Sequence, residues 1–181
     1  MTDRMNTFAG RRGIFRRGAL LLAGLALLGV AQAKDHDKQE LAALLDKQQI
    51  EELLVRYAAA VDGKNPKGFD EVFVPDATAY YGFGDTIKGR QAIVDFVSGT
   101  MAKVSGSQHL VGNFRIKLDG DKATSTCAIQ AILVGLGDYK GQSVMLWGEY
   151  RDRLERRPEG WRIVHRDLAA FHSTGDIGLG K

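Results

Sequence analysis

The fold is decided by residues 108–136, QHLVGNFRIKLDGDKATSTCAIQAILVGL. Gln108–Leu118 and Ala123–Leu136 are strand-like, and Asp119-Gly-Asp-Lys122 between them is a strong hairpin turn. Further along, glycine and proline mark two more turns, and the segments beside them predict two more strands, Ser143–Arg156 and Trp161–Phe171. The second half of the chain is therefore predicted to be an antiparallel meander.

The first half of the chain has a helical pattern. From Lys38 to Val61, apolar residues recur at steps of three and four, which indicates one amphipathic helix. Shorter helices are predicted at Asn65–Phe73 and Arg90–Val104, with a strand at Ala77–Tyr81 and a loop at Gly82–Gly89 between them. Helices followed by a meander predict an α+β fold, in which N-terminal helices pack on one face of a curved antiparallel sheet.

Three irregular features are predicted within this frame. Pro75-Asp76 is expected to form a turn, and the tail Ser173–Lys181 is expected to be loose. Glycines inside the strands, at positions 112, 135 and 148, suit the bulges and bends that a strongly curved sheet needs.

Residues 1–33 have the pattern of a secretory signal peptide. Arginines precede the apolar run Ala19–Ala31, and Ala31-Gln-Ala33 is a small-residue cleavage site. The run is shorter than the ~20 residues that a membrane-spanning helix needs, and two arginine pairs leave the twin-arginine export route open. We therefore predict an exported protein, periplasmic or secreted, whose mature chain 34–181 is a single domain without a membrane partner.

The charge balance excludes nucleic acid as a partner. The whole chain has 25 basic and 22 acidic residues, a formal net charge of +3. The leader holds five arginines and one aspartate, so the mature chain keeps 20 basic and 21 acidic residues and a charge of −1. The basic character thus belongs to the leader. Cys127 is the chain's only cysteine, so no intrachain disulfide forms, and its apolar strand neighbours predict a core position.

Asp62 and His109 are the first candidates for chemistry. Ile50, Leu54, Ala58 and Asp62 form one row at four-residue spacing, so the buried stripe of the long helix ends in a carboxylate. The alternative is an exposed residue in the turn after the helix. His109 opens a strand and is predicted to share a face with Val111 and Asn113, although a lone strand histidine is more often structural.

Arg166 and an aromatic cluster are further candidates. Arg166 shares a strand face with Val164 and Leu168, and an arginine on an apolar face needs an anionic partner, which an ordinary salt bridge would also supply. The cluster Tyr80, Tyr81 and Phe83 either packs in the core or lines a pocket for a ring-shaped ligand. The sequence has no metal-ligand spacing, no phosphate-binding loop and no dinucleotide fingerprint, so neither a metal nor a cofactor is expected.

An ordered series of short motifs then resembles a known family. The motifs are Arg56–Gly63, Phe69–Ala77, Gly89–Ile93, Gln108-His109, Asp119–Thr124 and Gly160–Ile163. Their order and approximate spacing resemble the SnoaL-like members of the nuclear-transport-factor-like superfamily over Gln48–Asp167. The resemblance implies a cone-shaped α+β barrel.

The resemblance is closest to the branch that contains scytalone dehydratase, lindane dehydrochlorinase and bile-acid dehydratase. There an Asp at the end of the first helix pairs with a His that opens a long strand, and these roles map onto Asp62 and His109. Tyr57 matches a tyrosine of the bile-acid enzyme, and Arg166 matches an arginine of the dehydrochlorinase. Two departures stand out: Tyr57 replaces a lysine of the dehydrochlorinase, and the second polar group of the dehydratases falls among apolar residues at 131–134.

Together these patterns predict a cofactor-independent lyase that removes water, halide or a small carbonyl fragment from a small hydrophobic, cyclic or aromatic molecule. A double-bond isomerase, a non-catalytic ligand-binding protein and a hydrolase are the alternatives. The predicted catalytic residues are Asp62, His109, Tyr57 and Arg166. The predicted substrate contacts are Tyr80, Tyr81, Phe83, Val111 and Asn113. The resemblance also implies a homodimer or homotrimer, for which Trp147 and neighbouring apolar strand residues on the outer sheet face could supply the interface.

Overall fold

The structure is a computed structural model that describes residues 15–178, with side chains from Lys34 onward. The helices are α1 (Phe15–Asp62) and α2 (Arg90–Met101), with 3-10 turns at Pro66–Glu71 and Gly137–Tyr139. The strands are β1 (Phe73–Tyr80), β2 (Ile87–Lys88), β3 (Val104–Asp119), β4 (Lys122–Gly135), β5 (Ser143–Arg157) and β6 (Gly160–Thr174).

The chain divides into two compact units, with the boundary between Leu44 and Leu45. The described part of the first unit is helical throughout, so α1 begins at Phe15 rather than at the predicted Lys38. The predicted leader falls outside the description, except for the helical backbone of its second half. No helix in the described part of the chain is long and apolar enough to cross a membrane.

The second unit carries a six-stranded sheet in the order β2-β1-β6-β5-β4-β3. The predicted meander is confirmed, because β3, β4, β5 and β6 pair as consecutive antiparallel neighbours. The prediction of a purely antiparallel sheet is wrong, because β1 pairs with β6 in parallel. Helices pack against this curved sheet, which stays open between β2 and β3, consistent with the expected cone-shaped α+β fold.

Strand β1 begins earlier than the sequence predicts. It starts at Phe73, and Pro75 and Asp76, predicted as a turn, lie within the strand. Pairing with β6 is interrupted between Phe73 and Thr78 and resumes in a shifted register, so the proline lies in an irregular part of the strand. The prediction of a loose tail is also wrong at Ile177, whose side chain is buried in the core.

Glycines shape the curvature as predicted at two positions. At Gly148 the β5–β6 register shifts, and an added Cβ would lie 2.6 Å from the Ala169 carbonyl oxygen, so only glycine permits this close approach. At Gly112 the β3–β4 register shifts by one residue before Arg115. Asn113 is the extra residue, with a φ of 52°. The bulge reverses the inward face of β3, which holds Ser107, His109 and Val111 before it and Phe114 and Ile116 after it.

Alternate residues of β4, β5 and β6 point inward and pack against the C-terminal half of α1 and against α2. One rung of the sheet breaks this apolar pattern: Ser125, Asp152 and Arg166 are register partners and all three are buried. Arg166 pairs with Asp152 in this rung and is surrounded by the rings of Tyr57, Phe73 and Tyr150.

Candidate functional site

The end of α1 and the start of β3 bring Asp62 and His109 together. His109 Nδ1 lies 2.6 Å from Asp62 Oδ1, and the backbone N–H of His109 donates to Asp62 Oδ2 at 2.7 Å. Ser107 Oγ donates to Asp62 Oδ1 at 2.7 Å. Three donors therefore converge on one carboxylate, which fixes its position.

These hydrogen bonds decide the charge of Asp62. Burial raises the pKa of Asp62, but the side-chain and backbone bonds from His109 and the bond from Ser107 outweigh burial and hold that pKa below its ordinary value. The carboxylate is therefore ionised at neutral pH. An ionised carboxylate accepts hydrogen bonds only, so His109 Nδ1 must donate, and the neutral imidazole carries its proton on Nδ1. Nε2 is then an acceptor and a base.

His109 forms part of the wall of a cavity of about 280 Å³. Its side chain is 9% exposed. Ala131, the register partner of His109 on β4, lines the same cavity. The other walls are mainly apolar, from Val61, Val97, Met101, Ile129, Leu133, Val144, Leu146 and Leu168. Apolar walls beside the imidazole limit the water that competes for its basic nitrogen.

Tyrosines contribute polar groups to the cavity wall, beside His109, Thr100 and Ser173. Tyr57 and Tyr81 both line it, and their hydroxyl oxygens lie 2.9 Å apart. Tyr81 stacks on Phe96 with 5.2 Å between the ring centroids. Phe83 also contacts Phe96, with 5.8 Å between the ring centroids. The cavity thus combines a flat aromatic wall with a hydrogen-bonded tyrosine pair, an arrangement that fits a ring-shaped ligand with one oxygen.

Arg166 is not on the cavity wall. It is fully buried and forms a two-bond ion pair with Asp152, with Nε–Oδ1 and Nη2–Oδ2 both at 2.8 Å. The salt bridge that the sequence left open is therefore present, and the prediction of Arg166 as a catalytic residue needs correction, because its side chain has no surface in the cavity with which to touch a substrate. Its guanidinium lies instead 4.1 Å from the ring centres of Tyr57 and Tyr150, behind the wall that they form.

Three predicted substrate contacts also lie away from the cavity. Tyr80 is half-buried and does not line it, whereas the next residue, Tyr81, does. Val111 and Asn113 border a separate depression with Trp147 and Phe171. The bulge after Gly112 explains the position of Asn113, because it turns the Asn113 side chain away from the strand face that carries His109. Tyr81 and Phe83 are placed at the cavity as predicted.

Two residues of the site were missed from the sequence. Ser107 lies two residues before His109 on the same strand, so strand alternation alone places it on the same face. Tyr150 also lines the cavity, and its burial raises its pKa well above the ordinary value. Tyr150 lies between the polar residues Glu149 and Arg151, so strand alternation alone would have placed its side chain on the inward face of β5.

Metal-binding chemistry has little support in the described residues. One group has ligand-type atoms close enough to share an ion, His36, Asp37 and Glu40, and all three are exposed in the N-terminal unit. Exposed acidic groups of this kind are common without a metal, so we assign it no role.

The sequence matches a known domain family. A family model of the SnoaL-like domain matches residues 42–167. The chain belongs to the SnoaL-like domain family. An uncharacterized protein of Mycobacterium tuberculosis (strain ATCC 25618 / H37Rv) is 34% identical over 134 residues, which is 73% of this chain and 90% of that protein.

Solved structures agree with this SnoaL-like fold. A protein assigned as a scytalone dehydratase from Novosphingobium aromaticivorans has a TM-score of 0.68 and 21% identity, covering 74% of this chain and 89% of that one. The hexachlorocyclohexane dehydrochlorinase LinA-type3 from Novosphingobium barchaimii has a TM-score of 0.68 and 19% identity, covering 77% and 95%. An NTF2-like superfamily protein from Salmonella enterica has a TM-score of 0.66 and 23% identity, covering 75% and 97%. At these identities the likeness concerns the fold.

Proposed function

We propose that this protein is a cofactor-independent lyase of the elimination type, which uses Asp62 and His109 as an acid/base pair. The observation that supports it is the 2.6 Å contact of His109 Nδ1 with an ionised Asp62 at the wall of an apolar cavity. The SnoaL-like fold, shared with dehydratase and dehydrochlorinase structures, supports a lyase-type or ligand-binding role.

The proposed chemistry uses each of these groups once. His109 Nε2 takes a proton from a carbon of the substrate, and the electron pair of the broken C–H bond becomes the new double bond. The C–X bond breaks on the neighbouring carbon, and the leaving group departs with its electron pair. Asp62 stabilises the imidazolium while the positive charge exists. General-base assistance of this kind contributes ~10²–10⁴ in rate.

Tyr57 is the proposed hydrogen-bond donor to the leaving group or to a carbonyl oxygen. Tyr57 and Tyr81 have two hydroxyl protons between them, and one is used in their mutual bond. The other is available to a ligand in the cavity. In a dehydration, the proton on His109 then joins the departing hydroxide, so the products are the alkene and one water.

We propose that the substrate is uncharged and small. Among the described residues, those that line the cavity include no Lys, Arg, Asp or Glu, so a phosphate, a carboxylate or an ammonium group would lose its hydration without a partner. The volume of about 280 Å³ suits a small ring system. The aromatic surfaces of Phe83, Phe96 and Tyr81 favour a cyclic or aromatic molecule.

One observation favours two other candidates, a double-bond isomerase and a non-catalytic binding protein. Ala131 stands opposite His109 on β4, and its cavity neighbours Ile129 and Leu133 on that strand are also apolar. This part of the wall therefore offers no second polar group to assist a departing one. An isomerase needs only proton shuttling, and a binding protein needs no base.

The test compares the full chain with its His109→Gln variant on a panel of cyclic alcohols, alkyl halides and unsaturated ketones, with products followed by mass spectrometry. His172→Gln is the matched control, because His172 is exposed and stacks on Trp147 at 5.6 Å. We expect a product lighter by the leaving group, lost in His109→Gln and kept in the control. Turnover at unchanged mass would indicate the isomerase. Binding without turnover, equal in all three proteins, would refute the enzyme.

Export and self-association remain predictions, which separate experiments address. Light scattering on the purified chain would give the oligomeric state. A Trp147→Glu substitution, which adds a charge to the outer sheet face, is expected to dissociate a homodimer or homotrimer. Fractionation of the producing cells would show whether the protein leaves the cytoplasm.

A further inference from the structure

Arg166 lies inside an aromatic cage at the back of the cavity wall. Its guanidinium carbon is 4.1 Å from the ring centres of both Tyr57 and Tyr150 and 5.9 Å from that of Phe73. The rings of Tyr57 and Tyr150 meet edge to face at 85°, so the cation contacts two rings of one cluster. Both tyrosines also line the cavity, whereas Arg166 has no exposed surface.

Ion pairing with Asp152 alone does not account for this placement. The carboxylate occupies Nε and Nη2, while Nη1 is buried and has no hydrogen-bond partner among the described residues. A buried N–H group without a partner costs free energy, and an apolar pair of similar volume would avoid that cost. On this side, the guanidinium contacts the faces of the tyrosine rings, which can interact favourably with its charge.

We propose that Arg166 is a positioning residue that acts on the cavity through Tyr57 and Tyr150: it holds both rings in place and makes their hydroxyls stronger hydrogen-bond donors toward a substrate oxygen. This inference rests on the proposed function only for the identity of the acceptor. The cage itself is a property of the folded protein.

The physical basis is the electrostatics of the cage. A cation over a phenol ring withdraws electron density and stabilises negative charge that develops on the oxygen. The charged or titratable groups around Arg166 are Asp152 on β5, Tyr57 on α1, Tyr150 on β5, Tyr81 after β1 and Cys127 on β4. Burial raises the pKa of Tyr81 and Tyr150, and the charge of Arg166 opposes that rise at both.

The Tyr57–Tyr81 bond carries this effect into the cavity. Tyr57 is the ring that contacts both the cation and the second hydroxyl, at 4.1 Å and 2.9 Å. When Tyr81 donates to Tyr57, the remaining proton of Tyr57 points to a ligand, and each hydrogen bond in such a chain strengthens the next. Lysine would keep the charge but lose the planar contact with two rings and the two-bond pairing with Asp152.

The first test reads the tyrosines without any ligand. The full chain is labelled with 3-fluorotyrosine, which ionises at lower pH than tyrosine, and each ring is followed by ¹⁹F NMR after assignment by single Tyr→Phe variants. The test variant is Arg166→Met with Asp152→Leu, which replaces the buried pair by apolar side chains of similar volume so that the fold is kept. Arg156→Met is the matched control, because Arg156 also stacks on an aromatic ring, Trp161, at 4.5 Å.

We expect ionisation of Tyr81 and Tyr150 to move to higher pH in the double variant, because the charge of Arg166 opposes the burial-induced rise of both pKa values. Arg166→Lys should give a smaller rise, and Arg156→Met none. Unchanged ionisation of Tyr81 and Tyr150 in a folded double variant would overturn the proposal. If the double variant does not fold, Arg166→Lys decides, since an unchanged ionisation of Tyr150 there would also overturn it.

A second measurement separates this inference from the proposed function. Binding of 2-naphthol and of 2-methylnaphthalene, equal in shape, is compared in the wild type and the double variant. The preference for the hydroxyl compound should fall about tenfold in the double variant while 2-methylnaphthalene binds equally. If the wild type binds neither compound, the proposed ring-binding cavity is wrong, and the ¹⁹F result alone decides the role of Arg166.

Discussion

Substituting Asp62 by asparagine tests the core of the proposed chemistry. Asp62 Oδ2 accepts from the backbone N–H of His109, and Oδ1 accepts from Ser107 and from His109 Nδ1. The backbone donor has a fixed direction, so the single amide oxygen of asparagine must take the place of Oδ2. The amide nitrogen then faces His109 Nδ1, which has to become an acceptor. The imidazole proton consequently moves to Nε2, the nitrogen that the mechanism uses as a base.

The expected loss of activity follows from that tautomer change. A histidine with its proton on Nε2 cannot accept a proton there, so turnover should fall by ~10²–10⁴, the usual contribution of a general base. Stability should fall much less. Replacing charge-assisted hydrogen bonds by neutral ones costs about 1–2 kcal/mol, and for a domain of this size Tm drops about 4 °C per kcal/mol.

The assay for the tautomer needs no substrate. ¹⁵N NMR of the imidazole nitrogens at about pH 8 distinguishes a protonated Nδ1 from a protonated Nε2. His165 is an internal reference with the opposite arrangement, because its Nε2 lies 3.1 Å from Asp167 and its Nδ1 lies 2.6 Å from the Thr78 hydroxyl. In the wild type we expect protonated Nδ1 at His109 and protonated Nε2 at His165. In Asp62→Asn both should carry the proton on Nε2.

Two results would refute this reasoning. A wild type with His109 protonated on Nε2 would mean that Asp62 does not direct the imidazole. An Asp62→Asn variant that keeps the wild-type tautomer and full turnover would mean that the carboxylate is only structural. Ser107→Ala is the companion variant, since it removes one donor to Asp62 without touching His109, and we expect it to keep the tautomer with a turnover loss of about tenfold or less.

Four further predictions concern stability. The pKa of Asp62 is held below its ordinary value, so its ionised form stabilises the fold above about pH 4 and this contribution is lost as pH falls through the lowered folded-state pKa; acid titration of Tm should show a smaller loss in Asp62→Asn than in the wild type. Gly148→Ala should cost about 1–3 kcal/mol in urea unfolding, because its Cβ would meet the Ala169 carbonyl oxygen at 2.6 Å; an unchanged midpoint would contradict the close approach. Ile177→Ala should cost about 2 kcal/mol, since the tail residue is 2% exposed, whereas a loose tail would show no effect. Asp46→Asn should cost about 1 kcal/mol, because Asp46 accepts hydrogen bonds from both Arg156 and Trp161, and an Asp46→Asn variant with the wild-type Tm would show that this cluster is dispensable.

Local chemistry predicted the parts of the fold that depend on neighbours in sequence. The hairpin turn Asp119–Lys122 and the strand order after it follow from turn residues and alternation, and both are confirmed. Strand β1 was predicted too short because its partner β6 lies about 90 residues further along, and a proline inside a strand is tolerated at irregular positions such as the register shift found here. Ile177 was missed for the same reason, since its burial depends on a contact across the sheet rather than on its polar surroundings.

The sequence predicted several residues of the site, but not how far each side chain reaches toward the cavity. The rows on α1 and β3 bring Asp62 and His109 to one place, and the structure has them in contact. Alternation also gave Arg166 the correct face, but a face does not say whether a side chain reaches the cavity or stops in the rung behind it. Asn113 was misplaced because Gly112 signals a bulge without saying which residue is extra. Depth and register shifts come from packing that no single strand contains.

The position of Asp62 is itself an argument for function. A carboxylate at the C-terminus of a helix faces the negative end of the helix dipole, so α1 would be more stable with a neutral or basic residue there. Three hydrogen bonds offset that cost, and two of them come from His109, the residue whose tautomer the carboxylate determines. A charged group that is unfavourable for its own helix, but is held ionised by several hydrogen bonds, is typical of functional sites rather than of packing. Asp62→Leu removes the acceptor of all three hydrogen bonds, so we expect it to lower stability as well as abolish turnover, and a variant that keeps turnover would refute this argument.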